Sequence, residues 1–450
     1  MKKWIAVICA VLCMLSGMVT GARANEIDIL VQKLVDKNVL SQNEAKVILE
    51  ETKQDVALQN AEAKNDMIPK WVQTMKWNGD FRLRYEWRNK PSSNVAQNRY
   101  DDKRWRFRSR FGFTSNVTKD VLFGLRLASG SATDPTSTNQ TMGNYFTSKY
   151  VGFDQVYIKY TPSWLLKNLT VISGKMPNPF MCTDLVWDGD VTPEGVALQY
   201  EYPLSSNVKM FANLAGFIYY DKFNVANATS SNDQYKRDGD DSYIMLPQAG
   251  IEYKVADDWK LKAALAYMAF TGIEDTPVTP YGAKGNTTFY HLPLSDTTVY
   301  YRYGYQLINP TIELSGKVFD VPIKFVGDYA HNTQAPVAND GWQLGSVIGA
   351  GKKARDWQIA YFYKRLEKDA VFGALTDSDF GYGGTGHRGH IFKGQYNITD
   401  NWQVALTYFM TWDLNSDRVY RDITSAPVTT TQVDSHKQKN TLQVDTIWKF

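Results

Sequence analysis

The chain has 450 residues, of which 43% are hydrophobic and 14% are aromatic, and its formal net charge is +3. A helical membrane protein needs runs of about 18 or more apolar residues, and no such run follows the first twenty residues. The composition leaves two classes, a soluble β protein or a membrane barrel whose lipid-facing residues occur only at every second position.

The first 24 residues have the features of a secretory signal peptide. Two lysines precede an apolar run over residues 4–19, and a small-x-small cleavage site ends at Ala24. The alternative is an uncleaved membrane helix. Cleavage leaves 47 basic and 47 acidic residues, so any function of charge must come from its arrangement. It also leaves Cys182 as the single cysteine, so an intramolecular disulfide cannot stabilise the exported chain.

Residues 25–72 are predicted to form a periplasmic helical leader. Apolar residues between Ile27 and Leu34 share one helical face, and Ser41 with Glu44 forms a capping box that begins a second helix. The leader is a solvated extension, a short oligomerising coiled coil or a contact with the peptidoglycan cell wall. Its apolar stripe is too short to choose among these.

Residues 73–450 are predicted to form an antiparallel transmembrane β-barrel. From Trp77 onward, apolar or aromatic residues alternate with charged or polar ones, which is the period of a strand with two different faces. The segments are long enough for tilted membrane spans. Short turns on one side and long loops on the other are the bacterial barrel pattern. The sixteen predicted strands are 77–88, 103–114, 119–129, 153–161, 168–176, 194–202, 206–216, 243–254, 259–270, 309–319, 321–331, 342–351, 355–366, 387–397, 401–413 and 438–450.

The first two predicted strands carry many arginines on one face. Strands joined by a hairpin are neighbours, so these side chains should share one wall of the lumen. Arginine keeps its charge and offers fork-shaped donors to phosphate and carboxylate, and ladders of arginine favour anions in a pore. The alternative is local pairing with acids such as Asp80 and Glu86. The residues of this basic wall are Arg82, Arg84, Arg88, Arg104, Arg106, Arg108 and Arg110, and Arg126 on the third strand extends it.

An acidic stretch follows in the Pro- and Gly-rich segment 174–195. A loop this aromatic could fold into the lumen, where carboxylates facing the basic wall would create a transverse field across the narrowest point. The alternative is an outward loop whose acids are solvated. The predicted acids of the constriction are Asp184, Asp188, Asp190 and Glu194.

The C-terminal strand from Lys437 to Phe450 has one apolar face that ends in aromatic residues and one mostly charged face. A terminal Phe closing such a strand resembles the C-terminal signal of Gram-negative outer-membrane β-barrel proteins. The resemblance implies that the apolar face meets outer-membrane lipid and the charged face a water-filled lumen. It also implies recognition of this strand by the barrel-assembly machinery.

Three motifs between residues 174 and 195 resemble one family. The segments Gly174-Lys-Met-Pro-Asn-Pro-Phe180, Trp187-Asp-Gly-Asp190 and Pro193-Glu-Gly195 look like those of the putative porins of Gram-negative outer membranes, as does the Arg-x-Arg-x-Arg-Phe pattern that ends at Phe111. The resemblance implies an outer-membrane porin for passive diffusion, and barrels of this size are usually homotrimers. The layout is also similar to that of phosphate-selective porins, and a preference for phosphate is supported only by the basic wall.

Other functions find less support. His387 and His390 are three residues apart on a predicted strand, so they face different sides, and no Cys or carboxylate cluster accompanies them as metal ligands. No Ser/His/Asp trio or phosphate-binding loop has a recognisable spacing, so we expect no enzyme and no cofactor. The arginines alternate with lipid-facing aromatics, which argues against a nucleic-acid partner. A structural role remains open, in which the leader binds the cell wall and the barrel is an anchor.

Overall fold

The computed structural model describes residues 31–37, 39–51, 68–91, 99–166, 168–221, 241–280, 282–290, 298–414 and 438–450. The chain divides into two units, Met1–Thr74 and Met75–Phe450. The predicted signal peptide lies outside the described residues.

Residues 31–36 and 42–51 of the first unit are helical, and Lys70–Gln73 forms one further turn. The predicted capping box is confirmed, because the backbone N–H of Ser41 donates to the Glu44 carboxylate at 2.9 Å and the N–H of Glu44 donates back to Ser41 Oγ at 3.3 Å. Within the described ranges, no helix is long and apolar enough to cross a membrane.

The second unit is a closed antiparallel β-barrel, with sixteen wall strands among its described residues. Each strand pairs with its neighbours in sequence, and the first pairs with the last, which closes the sheet without a free edge. The strands are β1 Lys76–Pro91, β2 Arg99–Asn116, β3 Val121–Ser129, β4 Val151–Tyr160, β5 Leu169–Lys175, β6 Glu194–Pro203, β7 Val208–Tyr220, β8 Ser242–Ala256, β9 Trp259–Phe270, β10 Tyr305–Val318, β11 Val321–Asn332, β12 Asp340–Ile348, β13 Trp357–Leu366, β14 His387–Asn397, β15 Trp402–Asp413 and β16 Gln438–Lys449.

Shorter elements lie in the long loops. Gln140–Thr141 forms a two-residue strand against β2. Thr288–Tyr290 and Val299–Tyr301 form a hairpin in the β9–β10 loop, and Gly373–Leu375 and Phe380–Tyr382 form two 3₁₀ turns in the β13–β14 loop.

The predicted alternation places aromatic residues outside and charges inside. Phe81, Trp105 and Phe111 are exposed on the outer face, whereas Arg84 and Arg106 are buried in the lumen. Because successive side chains point to opposite faces, the register of the β1–β2 pair determines which residues face outward and which face the lumen. The outer residues form the apolar face that lipid requires.

Short turns join the strands at one end of the barrel. The tightest joins β10 to β11 through two residues, Phe319 and Asp320, with φ angles of 49° and 62°. Positive φ at both central residues is the primed turn that matches strand twist. Longer loops join the strands at the other end, and by the pattern of bacterial barrels this is the extracellular end.

The wall strands differ in length, and the shortest is β5 on the low side formed by β3 to β6, although β12 and β13 have only 9 and 10 residues. β1 and β2 have 16 and 18 residues, whereas β3, β4, β5 and β6 have 9, 10, 7 and 10. The β3–β4 loop, residues 130–150, lies at the top of this low side, and its aromatic residues Tyr145 and Phe146 are fully exposed.

The interior differs from the predicted water-filled lumen on the side formed by β6 to β11. Many inward residues there are apolar, among them Phe217, Leu246 and Met268, and they pack against loop residues such as Trp187 and Phe372 in one buried cluster. The inward positions of β1, β2 and β16 are charged or polar, as predicted. The lumen therefore has an apolar, packed side and a charged side.

Candidate functional site

The seven arginines of the basic wall come together as predicted. In the register of β1 and β2, Arg84 lies opposite Arg106 and Arg82 lies opposite Arg108. Like charges directly opposite each other on neighbouring strands repel, so the wall requires carboxylates between them.

Three acids on the strands supply most of this compensation. Glu86 is completely buried and lies 2.5 Å from Arg104, 3.3 Å from Arg88 and 3.5 Å from Arg106. Asp80 contacts Arg108 at 2.8 Å and Arg110 at 2.7 Å.

The third acid comes from the opposite end of the chain. Asp445 on β16 binds Arg84 with both carboxylate oxygens, at 2.7 and 2.8 Å, and lies 4.0 Å from Arg82. Local pairing, the alternative left open by the sequence, is therefore extensive.

Within the described part of the wall, one positive charge remains in excess. Three further carboxylates approach the wall, namely Asp102, Asp190 and Asp379. Among the described residues, seven guanidiniums thus face six carboxylates within 4.0 Å. Arg126 lies on the neighbouring strand β3, opposite Gly112 of β2, and pairs with Asp154 of β4.

The β5–β6 loop, residues 176–193, folds into the lumen, which is one of the two alternatives that the sequence left open. Leu185, Val186 and Trp187 are buried in the apolar cluster. Polar anchors fix the loop to the wall: Thr183 donates to Asp328 of β11 through its backbone N–H and its hydroxyl, at 3.0 and 2.6 Å.

The four acids predicted at the constriction occupy different places. Asp190 faces the basic wall, with Oδ1 at 3.9 Å from Arg108 and 3.8 Å from Arg110. Asp188 accepts the backbone N–H of Ser378 at 3.0 Å. The other two have lysine partners: Asp184 lies 3.1 Å from Lys364 and Glu194, on β6, 2.9 Å from Lys175.

A cavity of about 390 Å³ opens beside the acid that faces the wall. It lies between residues 128–138 and the β5–β6 loop, and Asp190, Asp154 and Trp187 contribute to its lining. Asp190 therefore lines this cavity and also lies within 4.0 Å of Arg108 and Arg110, which makes these three charges the candidate selectivity group.

The family model described as putative porin matches residues 88–308 and 323–431, well over half of the chain. The chain belongs to this porin family. Among solved structures, the porin is similar to Pseudomonas putida OprB, with 13% identity over 84% of this chain and 95% of that chain and a TM-score of 0.50. A Salmonella typhi OmpF complex with daunomycin is also similar, at 10% identity over 84% and 97% and a TM-score of 0.44. No curated protein matches the sequence.

Family and fold together identify an outer-membrane porin of a Gram-negative bacterium. The similarity to OprB, at this identity, shows the fold alone. In the described ranges, no group of three or more His, Cys, Asp or Glu side chains could hold a metal ion. His387 is buried and contacts Asp413 at 2.9 Å, whereas His390 lies on the outer face against Tyr361.

A second loop of the porin also enters the lumen, and the sequence analysis missed it. The β13–β14 loop, residues 367–386, buries Val371, Phe372 and Leu375 in the apolar cluster. Its Asp379 contacts Arg84 at 3.2 Å. The available signal was the apolar run 370–375 in a loop rich in glycine, since an apolar run outside a strand needs a buried surface of its own.

One buried lysine holds the two loops of the porin together. The ammonium of Lys364, on β13, is completely buried and lies 3.1 Å from Asp184 and 3.2 Å from Asp377. It also lies over the ring of Phe380 at 4.9 Å. A cation between two carboxylates joins the β5–β6 loop to the β13–β14 loop.

The loop carboxylates differ in proton affinity. Burial acts to raise the pKa of Asp184, but the charges of Lys364 and Lys393 and the hydrogen bonds from Lys364 and Gln343 together outweigh burial and hold this pKa at about 2. Burial, together with the charges of Asp377 and Asp190, raises the pKa of Asp188 well above its ordinary value. Burial also acts to raise the pKa of Asp379, but the charges of Arg84, Arg106 and Arg82 and a hydrogen bond from Gln443 together lower it.

Proposed function

We propose that this porin allows passive diffusion of small hydrophilic solutes across the outer membrane and prefers anions to cations. The observation that carries the preference is the basic wall, where guanidiniums exceed carboxylates by one. Positive charge lining a pore lowers the energy of anions and raises that of cations. Inside a low-dielectric wall each charge acts more strongly than it does in bulk water.

The packed side of the lumen supports a narrow route. The two inserted loops and the apolar strand faces fill the interior from β6 to β11, so we place the route along the charged side. There Asp190 contributes a negative charge and Arg108 and Arg110 contribute positive charges. Variants that remove either the positive or the negative charges therefore test the route.

Replacing both Arg108→Ser and Arg110→Ser should lower the anion-to-cation permeability ratio several-fold, because it turns the excess of one positive charge into an excess of one negative charge. Asp190→Asn should raise the ratio. The measurement is the reversal potential of single channels in planar bilayers under a tenfold KCl gradient.

Lys103→Ser is the matched control, because Lys103 lies on the lipid-facing side of β2 at 59% exposure and away from the lumen. It should leave the reversal potential unchanged. If the arginine and aspartate variants also leave it unchanged while conductance persists, the pore stands and the basic wall does not set its selectivity.

Assembly as a homotrimer is part of the proposal, with the low side of the barrel, β3 to β6, as its contact. The shorter strands and the exposed aromatics of the β3–β4 loop support this choice. We also propose that the barrel-assembly machinery recognises β16 through Phe450. The helical leader is the basis of the alternative function, a tether to the cell wall, which binding of residues 25–72 to peptidoglycan would favour.

A further inference from the structure

Two arginines and two tryptophans form a row on the outer face of the barrel. Trp342 on β12 is the register partner of Arg365 on β13. Arg365 is the partner of Arg388 on β14, and Arg388 is the partner of Trp412 on β15. The row therefore crosses four adjacent strands with the two guanidiniums side by side at its centre.

The row faces away from the lumen. Lys364 and His387, the chain neighbours of the two arginines, are buried inside the barrel. Tyr361 and Phe392 share the outer face and are exposed. Alternation along both strands thus directs Arg365 and Arg388 towards the membrane.

The row lies near the upper edge of the apolar band. Arg365 is eight residues beyond Trp357, the first residue of β13 at the end with short turns. At about 3.3 Å per residue and a tilt of roughly 40°, the height difference is about 20 Å. The apolar band of such barrels is roughly 25 Å tall, so the guanidiniums lie where hydrocarbon gives way to outer-leaflet head groups.

The charges of the row are not balanced. Side chains directly opposite on antiparallel strands have Cβ atoms about 5 Å apart, and like charges there repel. Glu367 compensates Arg365 at 3.0 Å. Arg388 has no ion pair or hydrogen bond from its side chain among the described residues. A second anion beside Arg388 would therefore balance the row.

We propose that this anion is the phosphate of an outer-leaflet lipid head group, bound between Arg365 and Arg388. The planar guanidinium fork matches phosphate oxygens, and two adjacent forks can hold one phosphate group. Trp342 and Trp412 provide amphipathic rings at the head-group level, where such rings are stable. A second copy of the chain fits less well, because β13 and β14 lie nearly opposite the low side proposed for assembly. The inference rests on the membrane location of the barrel and not on its ion preference.

The test compares the mature wild-type porin with the Arg365→Gln/Arg388→Gln variant in detergent. Native mass spectrometry measures binding of diphosphorylated lipid A and of the same lipid after phosphatase treatment. The wild type should bind the phosphorylated lipid at least tenfold more tightly than the treated lipid. The double variant should lose that tenfold difference, because no guanidinium remains to contact the phosphates.

The control is Lys103→Gln, which removes an outward positive charge from the loop end of β2, and it should bind as the wild type does. Single-channel conductance equal to that of the wild type shows that the double variant is folded. Equal affinity of the wild type and the double variant for the phosphorylated lipid would overturn the proposal. So would displacement of the lipid by millimolar inorganic phosphate, which indicates a general anion site, or loss of oligomers without loss of lipid binding, which indicates a protein contact.

Discussion

At the scale of single residues, the charged side of the lumen depends on buried carboxylates shared among several arginines. Glu86 serves three guanidiniums and Asp80 serves two. Removing one member of a buried ion pair leaves its partner without compensation, at a cost of about 3–5 kcal/mol. The same reasoning applies to Lys364, whose ammonium has two carboxylate partners.

Lys364→Met should therefore separate the two inserted loops. Asp184 and Asp377 would lose their shared cation in a buried site, and the free energy of unfolding should fall by about 3–5 kcal/mol. We expect a lower thermal unfolding midpoint and a higher single-channel conductance, because loops that are no longer held together obstruct the lumen less.

Lys324→Met is the control for that variant. Lys324 lies on the lumen face of β11, 41% exposed, and pairs with Glu313 at 3.3 Å. A pair this exposed contributes about 0–1 kcal/mol. Equal unfolding midpoints and conductances in the two variants would contradict the role of Lys364 as a link between loops.

Residue-level prediction from the sequence worked where partners are close along the chain. The arginines of β1 and β2 meet because one hairpin joins them. Asp445 and Asp379, which lie far away in sequence, were not assigned to the wall, because their approach depends on barrel closure and on the fold of a loop. The four predicted acids of the constriction contact different partners for the same reason, because these contacts also depend on how the loops fold.

At the scale of elements, the strands were predictable and the inserted loops only partly so. Each wall strand carries a two-residue period set by the different environments of its faces, and that signal is local. The β5–β6 loop had an identifiable Pro- and Gly-rich segment. The β13–β14 loop is also rich in glycine and carries an apolar run, but its insertion depends on apolar inner faces of β8 and β9 that, from the sequence alone, could equally have faced water.

Closure of the barrel depends on a glycine beside the terminal residue. The backbones of Gly79 and Phe450 exchange two hydrogen bonds, at 2.8 and 3.1 Å. A Cβ at Gly79 would lie 2.5 Å from the ring of Phe450 and 2.7 Å from the Arg110 carbonyl oxygen. Both distances are too short for any side chain, so the strand junction requires glycine here.

Gly79→Ala should weaken the junction of β1 and β16 and lower the free energy of unfolding by about 1–3 kcal/mol, the range for overpacked sites. The measurement is the fraction of purified chain that refolds into liposomes, together with its urea unfolding midpoint. Gly394→Ala is the matched control, because a Cβ at this strand glycine of β14 has no neighbour within 4 Å. Equal losses in the two variants would show that strand glycine as such, and not the junction, matters.

At the scale of the whole molecule, the barrel is asymmetric inside and outside. Its interior is packed from β6 to β11 and charged around β1, β2 and β16. Its wall is high at β1 and β2 and low at β3 to β6. A low wall suits contact with another barrel better than contact with lipid. Its short strands leave loop aromatics exposed, and a neighbouring barrel would cover these aromatics and remove them from water.

The β3–β4 loop provides the sharpest test of assembly. Tyr145 and Phe146 are fully exposed and have φ angles of 46° and 58°, a backbone region that bulky residues rarely adopt. Burying an aromatic side chain contributes about 1.5–3 kcal/mol, so each contact between copies should depend on these two residues.

Tyr145→Ser/Phe146→Ser should convert trimers into monomers, as measured by light scattering in detergent. Phe319→Ser removes an equally exposed aromatic from a short turn at the opposite end and should leave the trimer intact. A trimer that survives the double substitution would exclude this loop as the contact and direct attention to the strands of the low wall.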